Sequence, residues 1–173
     1  MSLPPSNPLI AFYRDGGRDD RGRTLDEILA WDDERLEEVH DFIQWLFPLP
    51  ERSGANPSAP VLDAPTIEAF ESAPAMRDRL RRAFERMLRF YGLRWSGFSV
   101  DRAGNFRERA QNWLWPGNHN HLRFTRILRS TLLLGLEAES KALFQMLNTV
   151  YREFPDRISS RTHAFWSDAS QSG

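Results

Sequence analysis

The sequence has no cysteine, which excludes disulfides, thiolate metal sites and a cysteine nucleophile and leaves a reducing compartment open. Lysine is nearly missing as well: Lys141 stands alone against 22 arginines. Arginine's planar fork suits carboxylates and phosphates, but codon bias in a GC-rich genome gives the same composition, so abundance assigns nothing. Apolar runs stay short, as at Leu132 to Leu134, against the roughly 20 residues that a membrane-spanning helix needs. The N-terminus lacks the basic start and apolar core of a secretory signal. The expectation is a cytoplasmic protein with no membrane span. Reaction motifs are missing too: without H-E-x-x-H, G-x-S-x-G or a glycine-rich phosphate loop, neither a catalytic residue nor a cofactor is expected.

What is present suits one compact domain: 173 residues bury a core without staples. The net charge of -1 is unevenly spread. Residues 19–41 hold ten acids and three arginines, whereas residues 74–133 hold thirteen arginines and four acids. Such asymmetry fits two portions of one fold attracting each other, or a basic surface for nucleic acid. With overall charge balanced and no basic tail, mutual docking is the expectation.

Residues 1–23 read as an extended, proline-containing lead-in. Thr24 and Glu27 form a capping box that starts a helix. Leu36, Val39, Ile43 and Leu46 then predict one amphipathic helix, capped by Asp32 or Asp33 and stopped by Pro48. Residues 49–65 carry four prolines and no helical period, giving a long loop anchored by Leu49, Val61 and Leu62. Thr66 is placed to cap a short helix ending near Phe70. Met76, Leu80, Ala83, Phe84, Met87, Leu88 and Tyr91 are the buried face of a helix that Ser72 and Pro74 begin and Gly92 ends. Three more helices follow: one around Phe106, Ala110, Trp113 and Leu114, one from Asn118 to Gly135, and one that stops before Pro155. A last turn or two surrounds Phe165 and Trp166, and residues 167–173 read as a disordered tail. No strand pattern or repeat emerges, so the expected fold is all-α, about six or seven helices in one domain over residues 24–166.

The most chemically loaded stretch is "WPGNHNHLRFTRIL". On a helix, His119, Arg123, Arg126 and Ser130 share a narrow stripe, because they are spaced four, three and four apart. His121 lies about 200° from His119, so the two cannot share a metal there, and no metal site is expected. His119 and Asn118 occupy a first turn whose free N–H groups favour anions, and two guanidinium forks follow. The alternative is architectural, with these arginines paired to Asp32, Asp33 or Glu37. "DGGRDDRGR" lacks the ligand order of a calcium loop and reads as a surface turn. His40 and Gln44, one turn apart beside Trp45, either face a pocket or fill a boundary. Phe42, Trp45, Phe47, Trp113 and Trp115 either stack on a ligand or belong to the core.

Several blocks taken together resemble a known family. "GRTLDEILAWDDERLEEVHDFIQWLFPLPE", "NPSAPVL", "RAFERMLRFYGL", "RAQNW" and "HNHLRFTRILRSTLLLGLE" are similar, in that order, to the conserved region of the opioid growth factor receptor family, from Asn7 to Val150. The motif residues carried over are Trp45, Phe47, Pro48, Asn112, Asn120, Leu122, Arg123 and Arg126. The resemblance implies an intracellular binding protein without enzymatic activity; vertebrate members are associated with a methionine-enkephalin peptide, perinuclear location and restraint of growth. Those members continue into a long C-terminal region, so a chain stopping at Gly173 with arginine-heavy composition is expected to be a short microbial stand-alone member. Leu122, Ile127 and Leu128 are expected fold determinants.

The resulting expectation is a non-catalytic binding module for a peptide, protein or small acidic ligand. Its site would be a groove between the Trp45 helix and the Arg123 helix, roofed by the proline-rich loop, with His40, Gln44, Trp45, His119, Arg123, Arg126 and Ser130 as contacts. The alternative is nucleic-acid binding along Arg79, Arg82, Arg86 and Arg89. A second alternative, an undescribed enzyme, would need a deep polar cavity holding a histidine beside a carboxylate.

Overall fold

A computed structural model describes residues 6–171. The chain divides into two compact units, Met1–Arg82 and Ala83–Gly173. Ten helices and one two-stranded sheet are described, so the fold is mostly helical, and the all-α expectation is corrected by the sheet and by the helix count.

In the first unit, α1 (Pro8–Arg14) forms where an extended segment was expected. The Asn7 side chain accepts from Leu9 N–H, and proline at the first helical position presets the backbone. Helix α2 (Leu25–Leu29) starts on the anticipated capping box, with both reciprocal bonds made. The single helix expected next is instead two: α3 (Asp33–Glu38), capped by Asp32, and α4 (Ile43–Leu46). Val39 turns extended at φ -90° and ψ 129°. The Asp41 side chain then pairs with Arg21 and Arg23, while its carbonyl accepts from Asn56 Nδ2 at 2.9 Å. These nonlocal bonds replace the local helix.

The loop after α4 is an ordered wrap. Leu62 N–H bonds to the Leu49 carbonyl, Asn7 Nδ2 bonds to that of Val61, and Ala59 and Leu62 are buried. Helix α5 (Ala64–Ser72) is capped by Asp63, not by Thr66, which lies at the third helical position and donates to the Asp63 carboxylate. "DGGRDDRGR" is also more organised than a surface turn. Asp19 is buried and its carboxylate accepts from the N–H groups of Arg21 and Arg23 and from Arg23 Nε, so its oxygens are occupied by its own loop.

The unit boundary falls within α6 (Pro74–Tyr91), whose expected inner face, Met76, Leu80, Ala83, Phe84, Met87, Leu88 and Tyr91, is buried. The second unit continues with β1 (Leu93–Trp95) and β2 (Val100–Arg102), an antiparallel hairpin pairing Leu93 with Arg102 and Trp95 with Val100. Three-residue strands are too short to show alternation, which is why the sequence pattern missed them. Helices α7 (Phe106–Ala110), α8 (Asn120–Leu133) and α9 (Glu137–Glu153) follow. Finally, α10 (Ser160–Gln171) packs on α8 and α9. It carries residues 167–171, where a disordered tail was expected; the last two residues lie outside the described range.

An aromatic cluster forms the core of this unit. Phe124 on α8 lies 4.1 Å from Tyr91, 5.0 Å from Trp113 and 5.7 Å from Trp166, centroid to centroid. Polar ends of the large rings are satisfied: Trp113 Nε1 donates to the Tyr91 carbonyl and Trp166 Nε1 to that of His121, both at 3.0 Å. Leu122, expected to be a fold determinant, is 71% exposed, whereas Ile127 and Leu128 are buried. The aromatics of the sequence reading divide likewise: Phe42, Trp45, Phe47 and Trp113 are core, and Trp115 is exposed.

Candidate functional site

The α8 stripe forms, but it runs inward. His119 is exposed, Arg126 is half-buried, and Arg123 and Ser130 are buried. Each of the two arginines already has an interaction partner in the protein. The first-turn donor of Asn120 is bonded to Asn118 Oδ1 at 2.9 Å, which removes one N–H from any anion. Ser130 Oγ is different, being enclosed without a hydrogen-bond partner among the described residues. In the first unit, His40 is exposed and lies between helices, so the expected helical facing of His40 and Gln44 does not occur; Gln44 Nε2 reaches the His40 carbonyl at 3.4 Å. Gln44 Oε1 and Trp45 Nε1 are buried without hydrogen-bond partners among the described residues.

His121 is the architectural histidine of the segment. Its Nε2 lies 2.7 Å from the Trp113 carbonyl, so the ring donates there, and it meets Trp166 edge-on at 5.6 Å. Burial holds its pKa below the usual value, opposed by the Trp113 bond and assisted by nearby His119. His163, stacked on Tyr151 at 4.2 Å and bonded to Asn148, is also lowered, by burial and by Arg152. For both rings the folded state binds its proton less readily than the unfolded chain, whose value is 6.5. Their stabilising contribution is complete above that pH and is lost as pH falls through the lower folded values. The urea midpoint is therefore expected to drop between pH 7 and pH 5, with a shallower drop in His163→Gln. A flat or rising midpoint contradicts this assignment.

The basic face of α6 is not a free stripe. Arg79 donates to the carbonyls of Tyr13 and Arg14 at the end of α1, and Arg82 pairs with Asp26 at 3.0 Å. Arg86 is buried and already partnered, while Arg89 is exposed.

The site that sequence reasoning missed is an open cleft of about 730 Å³ within the second unit. One face of α7 and the turn after it supplies Phe106, Arg107, Gln111 and Leu114; the end of β2 supplies Arg102, and the end of α9 and its exit supply Glu153, Phe154 and Arg157. Arg102 is committed: it pairs with both Glu153 oxygens and its guanidinium lies 4.5 Å over the Phe106 ring. That pairing holds the Glu153 pKa below the ordinary carboxylate value. Arg107 and Arg157 are exposed, and neither makes a side-chain hydrogen bond or ion pair among the described residues. The only sequence signal was the spacing of Arg107, Gln111 and Leu114 on one helical face, beside a buried face already claimed by Phe106 and Ala110.

Among the described residues, no histidine or acidic cluster is gathered as a metal site, and no helix is long and apolar enough to cross a membrane. A family model described as the opioid growth factor receptor conserved region matches residues 12–163. The opioid growth factor receptor of Homo sapiens is 41% identical over 158 residues, covering 86% of this chain and 23% of that protein. That of Rattus norvegicus is 48% identical over 123 residues, covering 67% and 21%. Opioid growth factor receptor-like protein 1 of Mus musculus is 40% identical over 131 residues, covering 73% and 28%. The chain thus spans less than a third of the length of these relatives. No solved structure matches. With the family model covering most of the sequence, the chain belongs to the opioid growth factor receptor conserved-region family.

Proposed function

We propose that this chain is a non-catalytic, receptor-like binding domain whose ligand is a peptide or small molecule bearing an acidic group. One observation carries the reading: a cleft with an apolar floor and two arginine forks that have no side-chain hydrogen bond or ion pair among the described residues. Guanidinium forks recognise carboxylate or phosphate bidentately, and apolar walls hold the rest of a ligand. Among the described residues that line it there is no histidine, so the cleft is not the histidine–carboxylate cavity that the enzyme alternative asked for. The relatives named as receptors of an opioid growth factor agree with binding as the task. A cytoplasmic setting is part of this proposal.

A second reading keeps the site on α8 with His119, Arg123, Arg126 and Ser130, favoured by the Ser130 hydroxyl, which has no hydrogen-bond partner among the described residues. Nucleic-acid binding along α6 is supported less, since Arg79 already caps α1. The test is a thermal-shift panel of anions, nucleotides, acidic metabolites and short peptides, methionine-enkephalin included. Wild type is compared with Arg107→Ala/Arg157→Ala and with Arg123→Ala/Arg126→Ala. A ligand at about a hundred times its Kd stabilises by about 2.7 kcal/mol. The expected result is a shift lost in the first double variant and retained in the second. Loss only in the second moves the site to α8, and a panel without any shift overturns the reading.

A further inference from the structure

We propose that the cleft selects a dianionic head, a phosphate monoester, carried on an apolar body. The inference rests on the cleft being the binding site, and it adds the ligand's charge and shape. Three arginines face one carboxylate there, leaving a local charge of +2. Because Arg102 is neutralised by Glu153, this surplus sits on Arg107 and Arg157, which come from α7 and from the segment after α9. A monocarboxylate compensates one of them. A phosphate monoester carries a charge of about -1.5 to -2 at pH 7 and three acceptor oxygens, enough for both forks at once.

The remaining surface fixes the body. Phe106, Leu114 and Phe154 give an apolar floor, and Gln111 is the one uncharged side-chain amide on the wall. The volume of about 730 Å³ exceeds what a bare phosphate fills and lies within the range of small-molecule sites. Inorganic phosphate therefore satisfies the arginines and leaves the floor wet. The Glu153 carboxylate sets a sign: on the cleft wall it repels an anion and holds Arg102 away from it.

Calorimetric titration at low salt tests this with phenyl phosphate, inorganic phosphate, benzoate and phenol. Phenyl phosphate is expected to bind about tenfold or more tighter than benzoate or inorganic phosphate, and Arg107→Gln or Arg157→Gln to weaken it by about tenfold or more. Glu153→Gln is expected to tighten it, an effect of opposite sign that damage to the fold does not produce. A capped phosphotyrosine tripeptide beside phenyl phosphate distinguishes a phosphorylated side chain from a free metabolite as the source of the head. Benzoate binding as tightly as phenyl phosphate overturns the dianion selection. Acidic ligands that bind wild type and both arginine variants alike overturn the cleft assignment while leaving an acidic-ligand domain standing, and no binding by any acid overturns that reading as well.

Discussion

Trp113→Ala is expected to lower stability by about 4–6 kcal/mol, close to the whole margin of many domains. The Trp113 ring is 1% exposed and contacts Tyr91, Phe106 and Phe124 at centroid distances of 5.0 to 6.2 Å. Truncation removes this packing, leaves a cavity, and removes the buried Nε1–H bond to the Tyr91 carbonyl. A melting temperature lower by about 10–20 °C is the expected readout. Trp115→Ala is the control: that ring, two residues on, is 54% exposed, and its loss should change stability by about 0.5 kcal/mol at most. Equal effects of the two substitutions contradict the placement of the core.

Gly92→Ala is the second large effect, at about 2–5 kcal/mol, because two separate penalties add. Gly92 ends α6 at φ +79°, a left-handed conformation that alanine enters at about 1–2 kcal/mol. A Cβ there would also lie 2.8 Å from Phe106 Cα and 2.8 Å from Arg109 Cβ, so α7 must move. Gly97→Ala separates the terms, since Gly97 has φ +100° but open space around it. Chemical denaturation of both variants should show the larger loss at position 92. Because Phe106 and Arg107 on α7 line the cleft, Gly92→Ala should also weaken ligand binding, which Gly97→Ala should not. Matching losses at the two glycines would contradict the close approach of α7.

Local signals were legible where the structure uses local bonds. The Thr24 capping box, the Asp32 cap, the α6 stripe ending at Gly92 and the stop before Pro155 all depend on residues within a few positions of one another. Helix α1 was equally local, with Asn7 and Pro8 forming a cap and first position, but the surrounding prolines suggested an extended segment. The break between α3 and α4 was not legible, since it depends on Asp41 reaching Arg21, Arg23 and Asn56, fifteen or more residues away. The candidate site was hidden for the same reason. Arg102, Arg107 and Arg157 come from three segments, and nothing in their spacing sets them apart from the other nineteen arginines; what joins them is the cleft that the fold builds from those segments.

The most direct measurement is an arginine side-chain NMR titration with phenyl phosphate, following the Nε–H signals assigned by single substitution. The account predicts shifts at Arg107 and Arg157, a smaller one at Arg102, and none at Arg52, which bonds the Pro57 carbonyl in the first unit. Shifts confined to Arg123 and Arg126, with the cleft arginines unmoved, would contradict it.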